Sequence, residues 1–434
     1  MVSGRSSRAC AALLSFAGLG LIAPPLGAAP PVITRTPPPP KPVAPVATIP
    51  RITLSADGET VYIIGAILND SFLRFDALLL GAPKVKTVFL ASPGGLTLEG
   101  RLIAALVRKR GLNTYVEHYC ASACTQVFVA GRARTIGPEG QLGFHQAVGI
   151  DDKGETSALA AASTRRLSPM TVFGVNGNDT LRLAYEQAGI DQPFIAKALA
   201  RGHDAMWLPT VDELRQSHAI TRQADQPELA LPAGSQSHAQ LRAVLAERPL
   251  WRAAATALPT AYAEALDDVW RRANTGSEIE SAISSGRAAI VVGAWPLLAT
   301  ASDQVLDRVL SLYADTARSQ RVRGYPMCRE ALDDNAGPVD PLDRAFERGE
   351  DQLLIELFSL PAQGKALSIK AARKIFEREV VPVMVQSYLA TDAKSTSASC
   401  RLGFKIFGAI DQLPAKQRIR AYRALLSLPD PVGG

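Results

Sequence analysis

Three short groups of residues between positions 92 and 146 have the types and spacing that nucleophilic catalysis needs. Ser92-Pro93-Gly94-Gly95 follows an apolar run and opens a helical pattern, Ser122 stands between two cysteines, and His145 follows 23 residues after Ser122. A serine on a tight turn with small neighbours can attack a carbonyl carbon when a histidine accepts its proton. These groups therefore predict a Ser–His hydrolytic site.

Each group also has a simpler explanation when it is taken alone. Glycines are common in strand-to-helix turns, and a serine at a helix start usually caps the helix. A single histidine is more often a structural hydrogen-bonding residue than a base, although this chain has only five histidines. The functional interpretation depends on the order and spacing of the groups together.

In that order and spacing the groups resemble the ClpP-like serine peptidases of the Clp-protease/crotonase superfamily. The matching segments are Ser92–Gly95, Ala121-Ser122-Ala123, Ala130-Gly131 and His145-Gln146. The resemblance covers about residues 58–222 and nothing after them. The two cysteines around Ser122 are similar to those of an exported branch whose function is poorly defined.

The resemblance implies a role for each matched position. Ser122 would be the nucleophile and His145 its general base, and water would hydrolyse the acyl-enzyme. The backbone N–H groups of Gly95 and Ala123 would form the oxyanion hole. Gly94 would shape the turn, and the segment after it would guide an extended peptide substrate as an added strand.

The resemblance also implies a third triad residue, an aspartate after a long helix. Asp204 precedes an aromatic-Leu-Pro stretch and is the first candidate, with Asp191, Asp179 and no acid at all as alternatives. A membrane-associated branch of the superfamily pairs its serine with a lysine instead. Lys153 is the candidate for such a dyad, although its polar surroundings are those of a solvent-exposed loop.

Alternating strand and helix patterns from Arg51 to about Arg222 must position these residues. Helical patterns occupy Ser71–Leu80, Thr97–Arg110, Ser122–Ala130 and, as one stretch, Asp179–Arg201. Strands that alternate with helices predict crossover units and a mostly parallel sheet. We therefore expect an α/β fold with a ClpP/crotonase-like parallel-sheet domain and crossover helices, followed by a mainly α-helical C-terminal domain.

A polar, turn-rich segment from Gln223 to His238 marks the predicted domain boundary. The α/β domain would take residues 51–225 and a helical domain of unknown role residues 226–434. Beyond the boundary nearly every pattern is helical, with one pattern from Leu367 to Leu389 that Pro382 would kink. We find no catalytic motif in this helical half.

The N-terminus has the pattern of an export signal. Arg5 and Arg8 precede a short apolar run, and the small residues Gly27-Ala28-Ala29 follow it, which predicts a signal peptide over residues 1–29. An uncleaved anchor is the alternative. Residues 30–50 are proline-rich and predict an extended linker. We expect a periplasmic or extracellular protein close to a membrane.

Cleavage of the signal would leave four cysteines, Cys120, Cys124, Cys328 and Cys400, which allow three pairings. Their distances along the chain favour a disulfide between Cys328 and Cys400, which leaves the other two either bonded or reduced. No second close Cys or His pair accompanies Cys120 and Cys124, so we expect no metal site.

Charge and compartment limit the partners. Four of the six net positive charges lie in the first 50 residues, so the folded part has no excess that would bind nucleic acid. We expect peptide or protein substrates, no cofactor, and an activity that does not depend on ATP, because ATP is not supplied outside the cytoplasm. The resemblance also implies a homo-oligomer. The rival hypotheses are a non-catalytic binding or assembly protein with this fold and crotonase-like chemistry on a thioester.

Overall fold

The computed structural model describes residues 51–147, 149–150, 156–157, 177–201, 206–323, 341–361, 364–383 and 396–428. The predicted signal peptide, the linker, Lys153, Asp204 and Cys328 lie outside these residues. Within them the chain forms two compact units. The first runs to Ala294 and includes Leu354–Leu360, and the second takes Trp295–Leu353 and the residues from Pro361 onward.

Ten strands and sixteen α-helices are present in the described residues. The strands are β1 (Arg51–Leu54), β2 (Thr60–Ile64), β3 (Thr87–Ala91), β4 (Asn113–Val116), β5 (Tyr119–Ala121), β6 (Arg134–Ile136), β7 (Gln141–Gly143), β8 (Gly149–Ile150), β9 (Thr156–Ser157) and β10 (Arg222–Gln223). The helices of the first unit are α1 (Ser71–Gly81), α2 (Thr97–Arg110), α3 (Ala123–Val129), α4 (Gly177–Gln187), α5 (Gln192–Ala200), α6 (Val211–Gln216), α7 (His238–Ala246), α8 (Pro249–Ala257), α9 (Pro259–Asn274) and α10 (Ile279–Gly293). The helices that follow are α11 (Trp295–Ala299), α12 (Asp303–Arg323), α13 (Pro341–Ser359), α14 (Ile369–Ile375), α15 (Thr396–Asp411) and α16 (Ala415–Leu426).

The main sheet has the order β1-β2-β3-β4-β6-β10. Strand β1 is antiparallel to β2, and the other neighbours are parallel. Parallel neighbours need long crossover connections, which α1, α2 and α3 supply between successive strands. A smaller parallel pair joins β5 to β7. The expected fold class, a parallel sheet with crossover helices and a helical C-terminal region, is confirmed.

Both faces of the main sheet are covered, as the continuous apolar strands predict. On β2, Val61 and Ile63 pack with the helices of the larger core, whereas Tyr62 and Ile64 belong to a small cluster on the opposite face that Leu229 covers. The Tyr62 hydroxyl also donates to the carbonyl of residue 230 at 2.9 Å. The polar segment at the predicted domain boundary thus packs against the sheet, and the first compact unit continues through α10.

The stretch predicted as one helix over Asp179–Arg201 is two helices, α4 and α5. Gly189 adopts a left-handed conformation with φ 74° between them. The Asp191 carboxylate then accepts a hydrogen bond from the Phe194 N–H at 2.7 Å and caps α5. A glycine stop followed by an aspartate cap breaks the helix, and both signals are readable in the sequence.

The helical pattern predicted from Leu367 also differs in detail. Helix α14 begins at Ile369 and passes into a π-helical turn, Phe376–Val380. Among the described residues one stretch, Ile279–Ala299, could span a membrane by length and apolar composition alone. Half of it is buried within the protein, as in the core helix of a soluble protein, so this finding is weak evidence for a membrane span.

Candidate active site

Ser122 and His145 follow the carboxyl ends of two neighbouring parallel strands. Strands β5 and β7 pair with Ala121 opposite Gly143, and the Ser122 N–H donates to the Gly143 carbonyl at 2.9 Å. His145 comes two residues after Gly143, and both Ser122 and His145 are buried. The fold therefore brings the predicted nucleophile and base to the same edge of one strand pair.

Ser122 has an unusual backbone conformation for its position. Its φ is 53° and its ψ is −125°, and its side chain makes no capping hydrogen bond to α3. A positive φ is uncommon for a residue with a side chain and costs about 1–3 kcal/mol, so it persists only where the surroundings impose it. The helix-cap interpretation of Ser122 is therefore not supported, and the sharp strand-to-helix turn is one that can present a nucleophile.

Gly94 lies directly against this turn. With φ at 98°, a Cβ on Gly94 would stand 2.6 Å from both the Ala121 carbonyl oxygen and the Ser122 Cβ, and 3.1 Å from the Ala123 nitrogen. Real Cβ atoms do not approach other atoms this closely, so only glycine fits without movement. Gly94 thus determines how near the Ser92–Gly95 segment comes to Ser122.

The neighbouring residues fix that segment on its other side. The Ile67 N–H donates to the Gly94 carbonyl at 2.7 Å, and the Leu96 N–H donates to the Ile67 carbonyl at 2.8 Å. A Cβ on Gly95 would overlap the Ile67 carbonyl oxygen. Within the described part of the chain, the N–H groups of Gly95 and Ala123 donate no hydrogen bond, so both can serve a ligand. Ala123 is also the first residue of α3, where free N–H groups and the helix dipole favour negative charge.

A disulfide joins Cys120 to Cys124, so the pair that the sequence left open is bonded. Cys120 belongs to β5 and Cys124 to the first turn of α3, and both side chains are fully buried. Ser122 therefore lies inside a covalent ring of five residues, which restricts the backbone on both sides of it.

Two side chains that sequence reasoning missed support the start of α3. The Thr125 hydroxyl donates to the Ser122 carbonyl at 2.6 Å and accepts from the Tyr185 hydroxyl at 2.7 Å. Tyr185 is completely buried, and this burial raises the pKa of its phenol. The threonine three residues after Ser122 is a visible signal for the first bond, but nothing local points to Tyr185.

The structure describes two of the alternative triad acids, Asp191 and Asp179. One caps a helix and the other is exposed to solvent, so neither is a good candidate. Asp191 caps α5, as described above, and Asp179 is exposed in the first turn of α4. Asp204, the first candidate, lies outside the described residues. Across the described ranges no group of three or more His, Cys, Asp or Glu side chains could hold a metal ion.

A second polar cluster lies at the start of β5. His118 is 2% exposed, and neither ring nitrogen has a hydrogen-bond partner among the described residues. Burial, together with the charge of His238, lowers the pKa of His118 to about 4. Burial likewise raises the pKa of the nearby Glu117, although its hydrogen bond from the Tyr115 hydroxyl acts in the opposite direction.

No protein-family model and no curated protein matches the chain. Among solved structures, ClpP1 from Listeria monocytogenes is similar at 19% identity with a TM-score of 0.30, and the match covers 40% of this chain and 94% of ClpP1. A mutant of the same ClpP1 matches at 16% identity with a TM-score of 0.27, over 40% and 94% of the two chains. A mutant of the membrane-bound stomatin-specific protease 1510-N matches at 15% identity with a TM-score of 0.29, over 38% and 77%.

Proposed function

We propose that this chain is an exported serine peptidase-like hydrolase of the ClpP-like type, which cleaves peptides with Ser122 as its nucleophile. The observation that carries the proposal is the backbone of Ser122, which has a positive φ without a capping role and lies beside the strand that leads to His145. A helix cap does not need this conformation, because capping serines normally have extended backbones. A nucleophilic serine benefits from this conformation, because the sharp turn moves its hydroxyl out of the strand.

In this proposal His145 accepts the Ser122 proton as the hydroxyl oxygen attacks the peptide carbonyl carbon. The N–H groups of Gly95 and Ala123 bind the oxygen that becomes negative. Loss of one such donor typically costs about 3 kcal/mol of transition-state stabilisation. The protonated His145 then gives its proton to the leaving amine, and water, deprotonated by the same imidazole, releases the acyl group from Ser122.

The remaining parts of the proposal concern context. Asp204 is proposed as the residue that orients His145. Export, through a signal peptide ending near Ala29, places the reaction where no ATP is supplied, so the substrates are peptides or loosely structured segments. We also propose that the protein assembles into a homo-oligomer.

The test is covalent labelling of the purified protein by a fluorophosphonate probe, followed by mass-spectrometric mapping of the modified residue. We expect labelling at Ser122, loss of labelling in Ser122→Ala, and a comparable reduction in His145→Ala, because members of a catalytic unit do not act additively. Ser359→Ala, which removes an exposed helical serine, is the matched control and should label like the parent protein.

The reaction is run both with and without a reductant, because the Cys120–Cys124 disulfide encloses the target serine. Labelling only after reduction would mean that the disulfide blocks the site in its oxidised form. Failure to label in either redox state, with the protein folded, would refute the hydrolase and favour the non-catalytic binding protein with the same fold.

A further inference from the structure

One helix beyond the predicted domain boundary contributes a cation at the start of the two strands that lead to the candidate active site. The Arg271 guanidinium, near the end of α9, lies 5.7 Å from the centre of the Tyr119 ring. Its Nη1 group reaches the Gln141 side-chain oxygen at 3.5 Å. Tyr119 and Gln141 are paired residues of β5 and β7, the two strands that lead to Ser122 and His145.

Strand alternation places Gln141 on the same face of the strand pair as His145. Phe144 is fully buried among aromatic side chains of the core, so Gly143 and His145, which precede and follow it, belong to the opposite face with Gln141. A Cβ on Gly143 would stand 3.0 Å from the Tyr119 hydroxyl. The tyrosine thus lies between the guanidinium and the residue that accepts the Ser122 N–H.

Arg271 has hydrogen-bond donors available for a ligand. Its side chain is 16% exposed, and its ion pair with Asp267 is long, at 3.4 Å. Asp267 lies closer to His238, whose Nε2 is 2.9 Å away, while Glu139 faces the other ring nitrogen of His238 at 3.5 Å. Within the described residues, Arg271 Nε and Nη2 make no hydrogen bond. A mostly buried guanidinium with two unused nitrogen groups can bind a carboxylate through two parallel hydrogen bonds.

We propose that Arg271, with Tyr119 and Gln141, forms a subsite that selects peptides with an acidic side chain near the scissile bond. This inference rests on the proposed function, since it names the substrate class of the same site. Gln141 and His145 are four residues apart, about 13 Å along an extended strand. The acidic residue therefore lies within about four positions of the cleaved bond.

The test measures peptide binding by the full chain with Ser122→Ala, so that it does not require catalysis. The probes are two sets of fluorescent decapeptides, identical except that Glu or Gln stands at one position within four residues of a central Ala-Ala bond. We expect the best Glu peptide to bind about tenfold more tightly than its Gln partner, because a partly buried hydrogen bond between charged groups strengthens binding by about that factor. Adding Arg271→Gln should bring the ratio to about one, and Arg271→Lys should keep part of it.

Arg248→Gln is the matched control, because Arg248 is a more exposed arginine in the same helical region whose partner is Glu280. It should leave the Glu-to-Gln ratio unchanged. If Arg271→Gln fails to fold, the ratio for Ser122→Ala alone should still shrink between about 0.05 M and 0.5 M salt, since salt screens a partly exposed ion pair. A ratio near one before any change at Arg271, or a ratio that Arg271→Gln leaves unaltered, would overturn the subsite.

The two proposals fail in different ways. A protein that the fluorophosphonate labels at Ser122, but that does not distinguish Glu from Gln peptides, keeps the hydrolase and loses the subsite. A protein that is never labelled but prefers Glu peptides through Arg271 loses the hydrolase and keeps an acidic-peptide binding site.

Discussion

Replacing Gly94 with alanine tests whether the close approach of the Ser92–Gly95 segment positions the nucleophile. The added Cβ would stand 2.6 Å from the Ser122 Cβ and from the Ala121 carbonyl oxygen. Neither neighbour can withdraw easily, because the Ala121 N–H donates to the Ser92 carbonyl at 3.0 Å and the Ser122 N–H is bound to Gly143. The turn must therefore shift.

Two costs add up in this variant. A positive φ costs an alanine about 1–2 kcal/mol, and overpacking a tight site costs about 1–3 kcal/mol more. We expect the free energy of unfolding to fall by about 2–5 kcal/mol, which a typical domain survives. A displacement of about 1 Å at a reacting atom can lower a rate by about a hundredfold, so labelling of Ser122 should slow by that order.

Gly111→Ala is the matched control for this prediction. Gly111 has φ at 62°, but a Cβ there would meet no atom within 4 Å. It should lose only the conformational cost of about 1–2 kcal/mol and keep the parent labelling rate. Denaturant unfolding and labelling kinetics on the three proteins measure both quantities. If Gly94→Ala labels as fast as Gly111→Ala, the close approach of Gly94 does not position Ser122.

Three further predictions concern the surroundings of the site and the second unit. The pKa of His118 is near 4 in the folded state and has its ordinary value of about 6.5 in the unfolded state, so the unfolded state binds the extra proton as the pH falls. The free energy of unfolding should therefore drop by about 3 kcal/mol between pH 6.5 and pH 4. In His118→Phe this part of the pH dependence should be absent, and an unchanged pH dependence would assign it to other groups. Tyr185→Phe removes the hydrogen bond to Thr125, so it should lower the free energy of unfolding by about 1 kcal/mol and slow the labelling of Ser122. No change in either quantity would show that this bond does not support the turn. Non-reducing peptide mapping should find Cys328 bonded to Cys400, as expected in the oxidising compartment that the proposed export would reach, and free thiols at both positions would contradict the pairing.

Much of the α/β architecture could be predicted from the sequence because its signals are local. The apolar runs become buried parallel strands, and α2 spans Thr97–Arg110 as the periodicity indicates. The break between α4 and α5 was also encoded locally, by Gly189 and the Asp191 cap, but a continuous apolar periodicity masked it.

The site could be predicted only in part, for a physical reason. Order and spacing along the chain make Ser122 and His145 candidates, but the backbone conformation of Ser122 depends on Gly94, which tertiary pairing brings against it. Arg271 lies 130 residues beyond Gln141, and its place beside β5 and β7 follows from helix docking, which leaves no local signal. The sequence therefore suggested no role for the helical half, whereas the structure places one of its side chains against the two strands that lead to Ser122 and His145.

In the proposed mechanism, Ser122 attacks a carbonyl carbon whose oxygen is bound by the N–H groups of Gly95 and Ala123. A crystal structure of the protein inhibited by a peptidyl phosphonate tests it most directly, because the phosphoryl oxygen occupies the position of the oxyanion. That crystal structure should show a bond from Ser122 Oγ to phosphorus and a phosphoryl oxygen about 2.7–3.1 Å from both nitrogens. A phosphonate attached to another residue, or a phosphoryl oxygen beyond hydrogen-bond distance of both N–H groups, would contradict it.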